Sequence, residues 1–217
     1  MAHLLHIDSS ALTSGSVSKE IATTFRKSWQ QAHPDGTVTY RDLGIDPVPP
    51  LVEASITAGF TPEDARTPEQ VAAFALREGL VEEVLAADAF LLSVPMYNWG
   101  VPATFKAWLD QILVVGRTAD LSNTPVLAGR PATVVLSYGG GYDAGTPREG
   151  WDFVQPYLET VLVQAMGLDV TVIKAQLTLA ERNPAMAELI PASLQQREDA
   201  HTTAHAHART VVTALGV

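Results

Sequence analysis

Five short apolar runs, each followed by a stretch with helical spacing, recur along the whole 217-residue chain. This alternation restricts the fold more than any other feature. The runs Leu4-Leu5-His6-Ile7, Thr37-Val38-Thr39-Tyr40, Phe90 to Val94, Ala132-Thr133-Val134-Val135-Leu136 and Val170-Thr171-Val172-Ile173 have strand length and β-branched or apolar composition. Val17, Ile21, Phe25 and Trp29 lie four apart on one helix face. Val71, Phe74, Ala75, Val81, Val84 and Leu85 predict a second helix, weakened by Gly79 by ~1 kcal/mol. Further helices are predicted over 102–115, around Val154, Tyr157, Leu158, Val161, Leu162 and Ala165, and from near Pro191. Strands alternating with helices pair in parallel through right-handed crossovers, with helices on both faces. The expectation is an α/β, doubly wound five-stranded parallel sheet. No repeat, linker or low-complexity tract interrupts it, so residues 1–217 read as a single domain.

In such a sheet all carboxyl ends share one edge, where flat ligands bind. The densest signal there is the stretch 88–112, DAFLLSVPMYNWGVPATFKAWLDQI. An apolar run stops at Pro95, the crest Met96-Tyr97-Asn98-Trp99 follows, and a helix with Phe105, Trp108, Leu109 and Ile112 on one face begins after Pro102. Sulfur, aromatic rings and an amide suit a large conjugated ring; a turn whose aromatics cap the core is the alternative. After the first strand, the loop from Ser9 to Ser18 is rich in hydroxyls and runs into a helix. Amides at a helix start favour a phosphate dianion, while the alternative is a turn in which Ser16 caps the helix. No Walker-type Lys and no GxGxxG is present, which points to a monophosphate rather than a triphosphate or an adenine dinucleotide. After the fourth strand, Ser137-Tyr138-Gly139-Gly140-Gly141 lets the backbone approach a flat ligand closely, or makes a flexible turn. Taken together, a phosphate cradle, an aromatic shelf and an amide-rich clamp outline FMN in a flavodoxin-like fold.

Composition narrows the function. There is no Cys, which removes disulfides, thiolate nucleophiles and thiolate metal sites and suits a reducing compartment. A net charge of −10 with no basic run argues against nucleic acid as a partner. No stretch approaches the roughly 18 apolar residues of a membrane span, and MAHLLHIDSS does not read as a signal peptide. A cytoplasmic location is expected.

Two excursions lack periodicity, 43–66 and 116–130. The first carries Leu51, Val52, Ile56 and Phe60, too apolar for a solvated tail, and predicts a pocket cover or a docking surface. His201 and His205 share a face of the last helix at i, i+4, but with no third ligand nearby they read as packed side chains, so no metal is expected. His3 and His6 read as packed too. Glu78, Glu82, Glu83 and Asp88 read as a solvated face. Asp8 either orients the serine loop or lies at the surface. A serine hydrolase using Ser9 or Ser137 lacks the GxSxG elbow; a flavodoxin-type electron carrier or a general NAD(P)H:FMN reductase remains as an alternative.

The pieces IDSS with SVS, PMYNWGVPATFKAWLDQIL, SYGG and PYLETVLVQAMGLDVTVI resemble the FMN-dependent NADH:quinone oxidoreductase and azoreductase family, in order and over most of the chain. PMYN with its aromatic and following helix is the specific part. The resemblance implies that Ser10 and the backbone of Ser16, Val17 and Ser18 hold the FMN phosphate. It implies that Met96, Tyr97, Asn98 and Trp99 line the isoalloxazine, and that Ser137, Tyr138, Gly139 and Gly140 contact its pyrimidine end. Relatives often carry Arg where this chain has Tyr138, so ring or donor contacts differ there. It further implies NADH or NADPH as donor, a quinone or azo compound as acceptor, a ping-pong cycle, and a homodimer whose substrate slot includes Leu51 and Phe60. The hydride chemistry belongs to the flavin, and no catalytic side chain is nominated.

Overall fold

Every strand of the sheet runs the same way. The computed structural model describes residues 1–120 and 125–216. Strands β1 (His3–Asp8), β2 (Thr37–Asp42), β3 (Ala89–Pro95), β4 (Pro131–Ser137) and β5 (Asp169–Ala175) form a five-stranded sheet. Its order is β2-β1-β3-β4-β5, with all neighbouring pairs parallel. The expected doubly wound sheet is present, each strand reaching one or two residues beyond its apolar run. The order reverses between β1 and β3, and the crevice above that pair is the switch point where such sheets bind ligands.

Burial on two faces explains the near-continuous apolar strands. All of β3, the central strand, is buried. Leu5, Ile7, Leu92, Val94, Val134 and Leu136 point to one face. There they meet α3 (Pro68–Ala86), α4 (Ala103–Ile112) and the helix after β4. Leu4, Leu91, Val135 and Ile173 point to the other, against α1 (Val17–Ala32) and α6 (Ile190–Ala214). The small residues Ala200, Ala204 and Ala208 let α6 lie close to Ile21, Phe25 and Trp29 of α1. His201 and His205 belong to this contact: their Nδ1 atoms lie 2.8 Å from the hydroxyls of Thr24 and Ser28 respectively.

Three elements depart from the sequence expectation. The 43–66 excursion contains α2 (Glu53–Thr57) and a 3₁₀ turn, Glu63–Ala65. The helix after β4 begins as α5 (Gln155–Leu158) and continues as a π-helix, Glu159–Ala165. One extra residue per turn still places Val154, Leu158 and Leu162 inward, so the apolar spacing reads the same either way. In α3 only Leu80, Val81 and Val84 are buried; Val71 and Ala75 of the expected apolar face are exposed. The acidic residues beside them are paired: Glu78 and Glu82 hold Arg117, and Glu83 holds Arg41. Within the 116–130 excursion, 121–124 lie outside the described residues. No helix among the described residues is long and apolar enough to cross a membrane.

Candidate active site

The serine loop continues the β1 ladder before it turns. Ser9 donates to the Ser93 carbonyl through both its amide and its hydroxyl, at 3.1 and 2.7 Å. Ser10 and Ser16 are buried. Ser16 is the N-cap of α1, and its hydroxyl accepts the Lys19 amide at 3.5 Å. Gly15 adopts φ +67°, a conformation that favours glycine. The turn after β2 packs closely under the loop: a Cβ on Gly44 would lie 2.1 Å from the Ser10 carbonyl oxygen. Asp8, at the strand end, is buried. It accepts the Tyr40 hydroxyl at 2.7 Å and meets His6 Nε2 at 3.1 Å. Burial raises its pKa, but these hydrogen bonds outweigh that and hold the carboxyl below its ordinary value. Burial, and then the hydrogen bond to Asp8, push the Tyr40 phenol well above its usual range.

The crest is a two-residue hairpin. Tyr97 and Gly100 exchange both backbone hydrogen bonds, at 3.0 and 3.1 Å. Between them Asn98 and Trp99 have φ +49° and +66°, the left-handed pair of a type I′ turn. Asparagine is at home there, whereas a bulky residue such as Trp99 is strained. The turn lifts all three side chains to the surface. Trp99 packs edge-on against Trp151 at 5.6 Å, and the Tyr97 hydroxyl reaches across to Ser10 and Ala11.

The loop after β4 pairs with the loop after β5. The amides of Leu177 and Leu179 donate to the carbonyls of Gly140 and Gly139, each at 3.2 Å. That pairing consumes the glycine carbonyls and leaves the glycine amides for other acceptors. A Cβ on Gly139 would come within 2.7 Å of Leu179 Cδ1, so any larger residue there requires the Leu179 side chain to move. Tyr138 points the other way. Its ring is fully buried, edge-on to Tyr142, and its hydroxyl donates to Asp152 at 2.8 Å. Burial and the Asp152 carboxylate push that phenol far up.

These loops enclose a cleft of about 320 Å³ on the carboxyl edge of the sheet. Of the residues singled out in the sequence, Ser10, Ser16, Val17, Met96, Tyr97, Ser137 and Gly139 line it. Asn98, Trp99 and Gly140 line the recess that continues from it past Met96 and Gly139. Ser18 is buried beneath the loop. Tyr138, expected at the pyrimidine end, is not among the residues lining the cleft or its recess, and its ring is buried beneath the loop. Leu51 is half-buried and Phe60 is 87% exposed; neither is among the residues lining this cleft. Sequence reasoning missed Leu179, Arg182 and Arg197, which complete the wall. The loop after β5 lies on the same edge by topology, but its stretch QLTLAERNP has no glycine or aromatic to mark it. Neither Ser9 nor Ser137 has a histidine partner among the described residues, and the Ser9 hydroxyl is taken by Ser93. A larger groove, lined by Tyr97, Asn98, Lys106, Phe153 and Tyr157, opens on the far side of the crest.

Strand order and switch-point cleft define a flavodoxin-like protein, and residues 2–199 match the family model described as flavodoxin-like fold. Curated relatives narrow this further. An FMN-dependent NADH:quinone oxidoreductase of Streptomyces avermitilis is 50% identical over 210 residues, covering 96% of each chain. One of Frankia casuarinae is 49% identical over 213 residues, covering 98% of this chain and all of the other. The chain belongs to the FMN-dependent NADH:quinone oxidoreductase family of enzymes. Among solved structures, an azoreductase from Bacillus anthracis superposes with a TM-score of 0.83 at 18% identity, covering 97% of this chain and 100% of that one. An FMN-dependent NADH-azoreductase from the same organism, solved in complex with FMN, gives 0.80 at 18% identity over 96% and 100%. These two structures establish the shared fold.

Proposed function

We propose that the protein, a single domain acting in the cytoplasm, holds FMN in this cleft and passes two electrons from NADH to quinones. The observation that carries the reading is the meeting of four strand-end loops around one cleft. The residues present fit the cofactor. At the serine end, the first amides of α1 have no intrahelical acceptor, and Gly15 and Ser16 bring the backbone to where a phosphate dianion is favoured. Met96, Asn98 and Trp99 present a polarizable and aromatic flank. The amides of Gly139 and Gly140, whose carbonyls are taken by Leu179 and Leu177, would stabilise negative charge on a ring edge. Bound FMN supplies a centre that takes a hydride from a nicotinamide and returns two electrons to an acceptor. The chain binds and orients; Glu20 and Glu181 both face Arg197, and we assign no acid or base.

The exposed crest leaves one flat slot, so donor and acceptor take turns in a ping-pong order, and azo compounds are reduced in the same slot. A second copy of the chain closes it. The exposed strip of Val52, Ile56 and Phe60 supports that dimer, with Leu51 and Phe60 as walls of the slot.

The test is the absorbance of the purified protein. A yellow spectrum that NADH bleaches anaerobically and benzoquinone restores is expected, with parallel initial-velocity lines and a dimer on sedimentation. A protein that stays colourless after FMN is supplied would overturn the reading.

A further inference from the structure

We infer that Tyr138 is a positioning residue: through Asp152 it holds an aromatic wall that decides which quinones the site accepts. The inference rests on the quinone-reduction reading above. Tyr138 follows β4, and its backbone is tied to β5 and the loop beyond it. Its amide donates to Ala175 at 2.9 Å and its carbonyl accepts from Thr178 at 3.0 Å. The ring is wholly buried, with Lys174 Nζ 5.5 Å from its centre. From this fixed base the hydroxyl donates to Asp152 Oδ2 at 2.8 Å. The other carboxylate oxygen, Oδ1, accepts the amides of Val154 and Gln155 at 2.9 and 3.2 Å, an Asx-type turn that starts α5. One carboxylate therefore joins the glycine loop to the start of α5.

The segment between those two points depends on that bond. Among the described residues, the hydrogen bonds of 144–151 stay within 143–151. None of them ties the segment to the sheet; the Tyr138–Asp152 bond does so at its end. Asp152 is flanked by two large aromatics left at the surface, Trp151 at 50% and Phe153 at 64% exposure. Trp151 packs edge-on against Trp99 at 5.6 Å. Phe153 walls the groove beyond the crest together with Tyr97 and Tyr157. The pinned segment thus extends the aromatic surface of the crest outward on both sides of Asp152. A one-ring quinone needs the crest alone, whereas a second fused ring has this added wall to stack on.

The experiment measures KM for benzoquinone and for naphthoquinone, with the FMN-loaded full-length protein and NADH as donor. The wild type is compared with Tyr138→Phe, Asp152→Asn and Trp151→Leu. Loss of one hydrogen bond predicts a naphthoquinone-to-benzoquinone KM ratio about fivefold higher in Tyr138→Phe. The near-ultraviolet circular dichroism of the Trp99–Trp151 pair should weaken with it. Asp152→Asn keeps an oxygen for the amides and a polar partner for the phenol, and should recover most of the wild-type ratio. Trp151→Leu should raise the ratio with the buried pair intact, and it reads the wall even if the core variant fails to fold. A merely structural loss moves both KM values alike. A wild-type ratio in Tyr138→Phe, or in Trp151→Leu where Tyr138→Phe does not fold, overturns the inference, as does a wild type that reduces benzoquinone but not naphthoquinone. A wild type that reduces neither overturns the quinone reading itself.

Discussion

The Tyr97 hydroxyl accepts the Ala11 amide at 3.0 Å across 86 residues of sequence, and it lies 3.2 Å from Ser10 Oγ. The aromatic crest and the serine loop are therefore one hydrogen-bonded unit rather than two independent turns. Ser10 Oγ in turn accepts the Leu12 amide at 3.2 Å, so the crest also sets the course of the loop. Tyr97→Phe removes the link while keeping the ring. It should cost about 1 kcal/mol of stability in a urea melt and weaken FMN binding several-fold. Flavin affinity equal to wild type would show that the two loops hold their shape separately.

Trp99 occupies the second left-handed position of the crest turn. For a non-glycine residue that conformation costs roughly 1–2 kcal/mol, and the edge-on contact with Trp151 returns about 0.5–1.5 kcal/mol. Trp99→Gly exchanges one for the other. The melting midpoint should barely move, whereas KM for benzoquinone should rise because the shelf has lost its largest ring. A large loss of stability would mean that the indole holds the crest in place.

Two glycines make opposite forecasts for the same substitution. A Cβ on Gly44 meets the Ser10 carbonyl at 2.1 Å; Gly44→Ala must push the turn after β2 away from the serine loop and should lower both stability and flavin affinity. A Cβ on Gly79 meets nothing within 4 Å, and the residue lies exposed within α3. Gly79→Ala should stabilise by roughly 0.4–1 kcal/mol through helix propensity and chain entropy, with flavin binding unaffected. Thermal melts of the pair check both signs.

Asp8 links stability to acid. Burial works against its charge, but the His6 and Tyr40 hydrogen bonds hold its folded pKa below the ordinary value. A carboxyl depressed on folding stabilises fully above its unfolded value of about 3.9, and that stability is lost as pH falls through the folded value. Tyr40→Phe removes the donor at 2.7 Å. It should cost about 1–2 kcal/mol at pH 7, a gap that closes as Asp8 is protonated in acid. A gap that stays constant from neutral pH into strong acid would place the effect in packing instead.

Strands and most helices were legible because apolar periodicity is a local property of the chain. Five runs became five strands in the expected parallel sheet. The helices beginning at Val17 and near Pro191 formed where expected. What escaped was set by neighbours. Tyr138 reads as a loop residue beside glycines, yet its ring found Asp152 and Tyr142 beneath the loop. The exposed half of α3 carries the same apolar pattern as the buried half, since a pattern records a face and not what covers it. Arg182 was invisible because an arginine in a polar loop has no local mark; only the turn at Leu177 carries it to Gly15.

By itself, the order of residues determined the layer architecture and the shared edge. Side-chain period, strand length and crossover handedness are local or nearest-neighbour effects, and they suffice to bring the serine, crest and glycine loops to one rim. Tertiary structure alone decided which side chains on that rim face the cleft and which turn inward. Those outcomes depend on distances between residues far apart in sequence, as with Tyr97 and Ala11 or Arg182 and Gly15, and no local pattern encodes a distance.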